Sequence, residues 1–253
     1  MSLEETASWP TVSGIPLLPV GEVHVWRAEL DVDPAVREQL QQTLGPDELA
    51  RAARYRFARH HDHFLMSHGI LRAVLARYLQ VAPRELCFAQ GLHGKPALLG
   101  SAAGSLQFNL SRAHGLALYA VARGVRVGVD VEYVHADLAE RAEVTQFFSP
   151  AEIRGLNRLS PTERNTAFFE CWTRKEAFIK ATGEGLTRAL NSFTVSVSPG
   201  HADLEAVDDD PGEVSRWAMR AIAPAPGYQA ALVVEMARPL VRCWHWQATA
   251  AQA

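Results

Sequence analysis

The sequence predicts an α+β protein built in two parts, because helix and strand signals both occur in each half of the chain. Its 253 residues suffice for one large domain or for two lobes of roughly 120 residues each. Hydrophobic residues make up 48% of the chain and charged residues 21%, which is typical of a globular protein. This composition argues against a disordered chain, a collagen-like repeat and a disulfide scaffold.

The first half of the chain predicts two helices followed by three strands. Residues 46–58 favour helix, and an apolar stripe at helical spacing from Phe64 to Tyr78 predicts a longer, core-facing helix that ends before Pro83. Strand-like runs follow, separated by glycine-containing turns. They cover residues 86–89, 106–110 and 116–121.

Residues 125–132 alternate throughout between two faces, as a strand does. Four valines lie on one face. The other face carries Arg126, Gly128, Asp130 and Glu132. One side of this predicted strand is therefore apolar, and the other side presents two carboxylates.

Two helix starts in the second half share one capping pattern. Ser-Pro-Ala-Glu at 149–152 and Ser-Pro-Thr-Glu at 160–163 each supply a serine N-cap, a first-turn proline and a glutamate at the third helical position. The second start opens a long helix that ends at Gly183. Strand signals then dominate at 193–197, 217–222, 228–234 and 241–246, with an acidic loop at 206–213.

Several classes of protein are excluded or disfavoured. The longest apolar runs, at 115–122 and 230–236, are much shorter than the roughly 20 residues of a membrane span. The N-terminal segment is acidic where a secretory signal would be basic, and the three cysteines lie far apart, so we expect a reducing cytoplasm. A net charge of −3 excludes a strongly basic nucleic-acid binder.

A basic segment precedes the predicted core-facing helix. It contains Arg51, Arg54, Arg56 and Arg59, followed by His60, His61 and His63. The arginines suit a phosphate, although a solvated helix face explains them equally well. A zinc site is disfavoured, because adjacent histidines diverge around a helix and no cysteine accompanies them. We expect a solvated or phosphate-facing turn at 59–63.

The acidic residues are the strongest chemical signal. Asp130 and Glu132 project from one face of a strand, about 6.8 Å apart along the backbone, so both can reach one cation. A solvent-facing strand edge is the alternative. Glu176 and Lys180 share a helix face with Trp172, where a surface ion pair worth about 0.3–0.5 kcal/mol is the simpler interpretation. The apolar surroundings favour instead a third carboxylate and a phosphate-binding lysine.

Six short motifs together resemble the 4′-phosphopantetheinyl transferase superfamily in its larger, Sfp-type form. VGVDVE at 127–132 and WTRKEAFIK at 172–180 resemble the paired signature of that family. Four shorter matches occur in the family's order, so that the resemblance covers roughly residues 50–197. They are HGKP at 93–96, FNLS at 108–111, FFSPAE at 147–152 and GEGL at 183–186.

The resemblance implies a fold and a reaction. The fold would be a monomer of two similar α/β lobes, residues 1–123 and 124–253, related by a pseudo-two-fold axis, with coenzyme A in the cleft between them. The reaction would move 4′-phosphopantetheine from coenzyme A to a serine hydroxyl of an apo acyl or peptidyl carrier protein. It would depend on Mg²⁺, or on Mn²⁺, and would release adenosine 3′,5′-bisphosphate. No nucleic-acid or membrane partner is expected.

The resemblance also implies roles for individual residues. Asp130, Glu132 and Glu176 match the metal ligands, and Asp130 is expected to take part in catalysis. Glu176, or a water that it orients, is the candidate base, and Lys180 matches the lysine at the leaving phosphate. The residues expected to bind coenzyme A are Arg56, Arg59, His63, Lys95, Ser111, Arg112, Lys175 and Lys180. Glu152 matches a glutamate whose role stays open.

The chain departs from the family pattern at two places. Arg112 stands where many relatives have a histidine, so a phosphate donor is kept but no neutral base is available there. Segment 59–63 has histidines where relatives tend to have arginines, so phosphate binding through His63 would depend on pH.

Two other functions stay open. One is a catalytically silent protein of the same fold that binds coenzyme A or a carrier, although every acidic and basic motif position is filled. The other is a metal-dependent phosphohydrolase, which would not explain the Gly-Lys-Pro and Asn-Leu-Ser turns.

Overall fold

A computed structural model describes residues 8–12, 14, 17–91, 94–100, 103–135, 146–198 and 200–248. The helices are α1 (Pro34–Gln41), α2 (Pro46–Ala52), α3 (Ala58–Leu79), α4 (Pro150–Asn157) and α5 (Pro161–Thr182). The strands of the first half are β1 (Glu22–Glu29), β2 (Phe88–Gln90), β3 (Pro96–Leu98), β4 (Gln107–Ala113) and β5 (Leu116–Ala122). The strands of the second half are β6 (Val127–Tyr133), β7 (Phe193–Val195), β8 (Leu204–Val207), β9 (Ala218–Ile222), β10 (Tyr228–Val234) and β11 (Leu240–His245).

The two main sheets repeat one order of strands. The first sheet runs β11-β1-β5-β4 and the second runs β6-β10-β9. In each half a first strand is followed by helices and a two-stranded hairpin, and the last strand then inserts between the first strand and the one before it. The predicted α+β class is confirmed, and the repeated order agrees with two similar lobes.

Three apolar cores separate four layers. One core lies between α3 and the first sheet, one between the two sheets, and one between the second sheet and α5. The central core contains alternate strand residues such as Leu118, Val129 and Leu232. Their sequence neighbours Tyr119 and Val233 belong to the outer cores. Both faces of β5 and β10 are therefore buried, which explains their nearly continuous apolar sequences.

Strand β11 is an exception to the predicted division at residues 123 and 124. It pairs in parallel with β1, with Glu22 opposite Leu240 and Trp26 opposite Trp244. A pairing between strands so far apart in the chain has no local sequence signal. Residues 240–245 therefore join the sheet of the first half, although they follow the predicted boundary, and the division into lobes stays a prediction.

The predicted helix ends in the second half are confirmed. In both capping boxes the serine hydroxyl accepts the N–H of the glutamate three residues later, and the glutamate carboxylate accepts the serine N–H. Helix α5 ends at Gly183, whose φ of +78° is the left-handed conformation that glycine adopts freely. No helix in the described ranges has the length and hydropathy of a membrane-spanning segment.

The expected turn at 59–63 is wrong, because these residues form the first turns of α3. The helix begins after Phe57, whose carbonyl accepts the N–H of His61 at 3.1 Å. The single helix predicted over 46–58 is accordingly divided, since α2 ends at Ala52.

Strand β6 and helix α5 touch at Gly128. A Cβ atom at this position would overlap the carbonyl oxygen of Ala177 and the backbone of Ala181. Only glycine allows the helix backbone to approach the strand this closely. The predicted alternation of β6 is confirmed, because its valines enter the central core while Gly128 and Asp130 face α5.

Replacing Gly128 tests this contact. Gly128→Ala should lower the free energy of unfolding by roughly 2–4 kcal/mol, because an overlap with backbone atoms cannot be relieved by a side-chain rotation. Gly155→Ala in α4 is the matched control, since its new methyl group would meet only side-chain atoms of Val197 and alanine favours helix. Urea denaturation measures both variants. A cost below about 1 kcal/mol for Gly128→Ala would contradict the close approach.

Candidate functional site

The two sheets meet along the edge strands β4 and β6, which side chains join. Asn109 Oδ1 accepts the backbone N–H of Val129 at 2.9 Å, and Ser111 Oγ accepts that of Val131 at 3.3 Å. Asn109 and Ser111 are two residues apart, so both project from the same face of β4. The seam between the two halves is thus held by polar side chains instead of a backbone ladder, and buried N–H groups of β6 are satisfied.

Asp130 connects both halves at this seam. The residue is 3% exposed, and its Oδ1 atom accepts hydrogen bonds from Ser111 Oγ at 2.8 Å and Lys180 Nζ at 2.6 Å. Lys180 also donates to Ser111 Oγ at 3.0 Å. The Oδ2 atom of Asp130 is buried and has no partner among the described residues. One oxygen of this buried carboxylate therefore remains available to a ligand.

A cavity of about 470 Å³ opens beside Asp130. The residues around it are Leu110, Ser111, Arg112, Asp130, Glu132, Trp172, Glu176 and Lys180. A second cavity of about 330 Å³ also borders Glu176 and Lys180, and it lies between the two halves of the chain. The structure thus brings the strand acids and the helix residues to one place, which sequence spacing did not establish.

Two carboxyl groups at this cavity, those of Glu132 and Glu176, hold their protons more strongly than exposed ones. Burial, together with the charges of Asp130 and Glu176, raises the pKa of Glu132 to about 7. Burial and the charge of Asp130 also raise the pKa of Glu176. Lys180 is one cation facing three acids, so ionising all three leaves negative charge that a divalent cation would offset.

Asp130, Glu132 and Glu176 provide the kind of oxygen ligands that a cation site needs, but they do not surround a common point. Among the described residues, no group of three or more His, Cys, Asp or Glu side chains is arranged as a metal centre. Asp130 instead engages Ser111 and Lys180. All candidate ligands are nevertheless carboxylate oxygens, which suit a hard divalent cation, and the unpartnered Oδ2 of Asp130 fits such a ligand.

Two of the predicted phosphate-binding residues, His63 and Arg112, line a third cavity of about 240 Å³, and Arg59 lies near it. Arg112 borders both this cavity and the one beside Asp130, and its guanidinium donates to Tyr55 Oη at 2.9 Å. His63 lines the same wall and hydrogen-bonds Asp31 at 3.1 Å. Arg59 does not line this cavity, but its guanidinium lies close to His63 beside Gly115. Basic groups from α3 and β4 therefore converge beside the carboxylates.

Arg56 is not part of that convergence in this structure. Its side chain is exposed, and its guanidinium lies over the ring of Phe57 at 5.7 Å. The Gly-Lys-Pro turn is described only in part, because residues 92 and 93 lie outside the described ranges, as does the side chain of Leu186.

Lys175, which the resemblance assigns to coenzyme A binding, borders none of the three cavities described above. Its ammonium is fully buried in the outer core of the second half, 2.7 Å from Glu152 Oε1 and 2.8 Å from the Phe193 carbonyl oxygen. One residue along a helix rotates a side chain by about 100°, so Lys175 points away from the face that carries Glu176. Glu152, whose role was open, is the buried counter-ion that fastens α4 and β7 to α5.

Lys95 borders the 330 Å³ cavity, but its ammonium donates to backbone carbonyl groups. The Nζ atom donates to the carbonyl oxygens of Lys180 at 2.7 Å, Val127 at 3.0 Å and Ala181 at 3.4 Å. Burial, and to a smaller extent the charge of Arg126, lowers the pKa of Lys95 to about 8.

Some site residues were missed by sequence reasoning. Asn109 lies in the FNLS motif but has no predicted role, although its spacing from Ser111 predicts that both side chains lie on the same face of a strand. Arg188 borders the 330 Å³ cavity and is held by Glu184 at 2.9 Å and Glu213 at 2.8 Å. No local pattern distinguishes this arginine, because its partners are brought to it by the fold.

Comparison with known proteins finds one family, both through a family model and through individual relatives. The family model described as the 4′-phosphopantetheinyl transferase superfamily matches residues 126–233. The chain is 35% identical to 4′-phosphopantetheinyl transferase HetI of Nostoc sp. strain PCC 7120, over 89% of this chain and 92% of that protein. It is 32% identical to 4′-phosphopantetheinyl transferase psf-1 of Bacillus pumilus, over 68% and 72%. It is 25% identical to 4′-phosphopantetheinyl transferase Sfp of Bacillus subtilis, over 77% and 84%.

The buried ion pair yields one prediction. Lys175→Met should lower the free energy of unfolding by about 3–5 kcal/mol, because Glu152 would remain buried without its counter-ion. Adding Glu152→Gln should recover part of that loss. Coenzyme A affinity, measured by calorimetry below the unfolding transition, should not change. A weakened affinity with unchanged stability would restore Lys175 to the binding site.

The raised pKa of Glu132 yields a prediction for the metal-free protein. A carboxyl group with a pKa near 7 when folded and 4.5 when unfolded favours folding only while protonated, so its contribution is lost as pH rises through 7. Glu132→Gln should therefore stabilise the protein by roughly 1–3 kcal/mol at about pH 8.5 and little at about pH 4. Urea denaturation in EDTA measures both. An equal effect at the two pH values would contradict the assigned pKa.

Proposed function

The chain belongs to the 4′-phosphopantetheinyl transferase superfamily, and we propose that it transfers 4′-phosphopantetheine from coenzyme A to a serine hydroxyl of an apo carrier protein. The observation that carries this proposal is the shared hydrogen bonding of Asp130 with Ser111 and Lys180, beside a cavity that Glu132 and Glu176 also border. In the reaction the serine oxygen forms a bond to the phosphorus of the pantetheine phosphate. The pyrophosphate bond breaks, and adenosine 3′,5′-bisphosphate leaves.

Asp130, Glu132 and Glu176 would hold the divalent cation, Mg²⁺ or Mn²⁺. When bound, such an ion neutralises negative charge on the pyrophosphate. The protein would supply carboxylate oxygens, which are the ligands that such hard cations prefer. The buried, unpartnered Oδ2 of Asp130 supports this assignment.

Lys180 would serve the leaving phosphate. Its ammonium has three N–H donors, and Asp130 and Ser111 accept two hydrogen bonds from it. The remaining donor can reach a phosphate oxygen without loss of the two contacts that orient the side chain. Because charge on the leaving phosphate grows in the transition state, this contact should act mainly on turnover.

Glu176 is the candidate base for the serine hydroxyl. It lies one helical turn from Lys180 on the same cavity wall. Its raised pKa makes its carboxylate a stronger proton acceptor than an exposed glutamate. The serine proton would pass to Glu176 directly or through one water molecule.

Coenzyme A phosphates would be bound by the basic groups beside the carboxylates. Arg112 borders both cavities there, and its charge is permanent, so its contribution should not change near neutral pH. Arg59 and His63 lie on the same side and could share the 3′-phosphate. A cytoplasmic location and a monomeric state stay predictions from the sequence.

The proposal predicts a reaction with three requirements. Adenosine 3′,5′-bisphosphate should form only when coenzyme A, an apo-carrier and Mg²⁺ are all present, and mass spectrometry should show the carrier gaining the pantetheine phosphate. EDTA should abolish the transfer, and Lys180→Ala should slow it by about a hundredfold or more. Arg216→Ala, at an exposed arginine that pairs with Asp210, is the matched control and should be unaffected.

Other results of this assay would point elsewhere. Bisphosphate released without a carrier would indicate a phosphohydrolase. Tight coenzyme A binding without transfer to acyl or peptidyl carriers would indicate a binding protein that lacks catalysis.

A further inference from the structure

Lys95 joins the first half of the chain to the end of helix α5. It stands just before β3, in a hairpin held by a hydrogen bond of 2.8 Å from the Gly91 N–H to the Lys95 carbonyl. All three carbonyl oxygens that accept from its ammonium belong to the second half. The side chain therefore crosses the seam and makes its polar contacts on the far side.

Two of these carbonyls need a partner from outside the helix. The last four carbonyls of an α-helix lack intrahelical donors, and they lie at the negative end of the helix dipole. At the end of α5, the Gly183 N–H closes on Ile179, and no backbone N–H in the described ranges donates to Lys180 or Ala181. The half-buried ammonium of Lys95 both satisfies these two oxygens and offsets the dipole.

The third carbonyl extends the same contact to the strand that carries Asp130. Val127 is the first residue of β6, and its carbonyl lies 3.0 Å from Lys95 Nζ. Lys95 thus holds the start of β6 and the last turn of α5 with one group. The backbone that it holds includes Lys180, whose own ammonium lies 2.6 Å from Asp130.

We propose that Lys95 is a positioning residue, which caps α5 and fixes Lys180 against Asp130, and that it does not grip a coenzyme A phosphate. This inference rests on the proposed transfer for its catalytic part, but the capping contact exists without any ligand. An ammonium has three donors, and three carbonyls occupy them all. A phosphate contact would require one of these buried carbonyls to lose its partner.

Hydrogen exchange in the ligand-free protein tests the capping contact. Lys95→Met should speed amide exchange of residues 181–183 by about tenfold or more, while exchange in the middle of α5 stays the same. Arg216→Met is the matched control, because it removes an exposed positive charge of the second half whose partner is Asp210. If Lys95→Met does not fold, Lys95→Gln takes its place. Unchanged exchange at 181–183 would overturn the inference, whether or not the protein transfers phosphopantetheine.

Ligands with and without the 3′-phosphate test whether Lys95 positions Lys180 or binds a phosphate of coenzyme A. Lys95→Met should lower kcat by about tenfold with both coenzyme A and dephospho-coenzyme A, and the Kd of each should change by less than about threefold. A Kd that rises about tenfold for coenzyme A alone would show a 3′-phosphate contact and contradict the proposal. Equal tenfold losses of affinity for both ligands would place Lys95 at the pyrophosphate and contradict it as well. Failure of the unaltered protein to transfer would concern the proposed function alone.

Discussion

Helix α5 lies directly on the backbone of β6, and this approach at Gly128 sets the position of every group at the site. A side chain at that residue would overlap the backbone of Ala177 and Ala181, so the helix would have to move away from the strand. Because the backbones touch, Lys180 meets Asp130 two residues further along the strand, and Glu176 borders the same cavity. The glycine in the middle of the strand is therefore a requirement of the chemistry as well as of packing.

The second constraint is the seam between β4 and β6. Two edge strands that meet would leave unpaired backbone groups, and Asn109 and Ser111 satisfy those of β6. Ser111 does so while also donating to Asp130, so the residue that closes the seam also orients the central carboxylate. Both halves thus contribute to the centre of the site. The first half supplies a hydroxyl, and the second supplies the acids and a lysine. A ligand that bridges the cavities would contact both halves at once.

Much of this arrangement was readable from local patterns, and the remainder depended on contacts between distant residues. The alternation of β6, both capping boxes and the end of α5 at Gly183 follow from neighbouring residues alone. Strand β1 and helix α1 were not predicted. The pairing of β11 with β1 was not predicted either, because it joins residues from the two ends of the chain. Lys175 shows the limit most plainly: its motif resembles a site, but one step of helix rotation buries it against Glu152. Residue type and spacing indicate which atoms are present, and the fold decides which of them face the cavity.

The central claim is that Asp130 joins the two halves through Ser111 and Lys180 as one unit. A double-mutant cycle on the free energy of unfolding of the metal-free protein tests it most directly, with Ser111→Ala, Lys180→Met and the double variant measured by urea denaturation. Because the two side chains bond the same oxygen and each other, the cycle should give a coupling free energy of at least about 0.5 kcal/mol. Losses that add to within about 0.3 kcal/mol would mean that the two groups act independently, and would contradict the account.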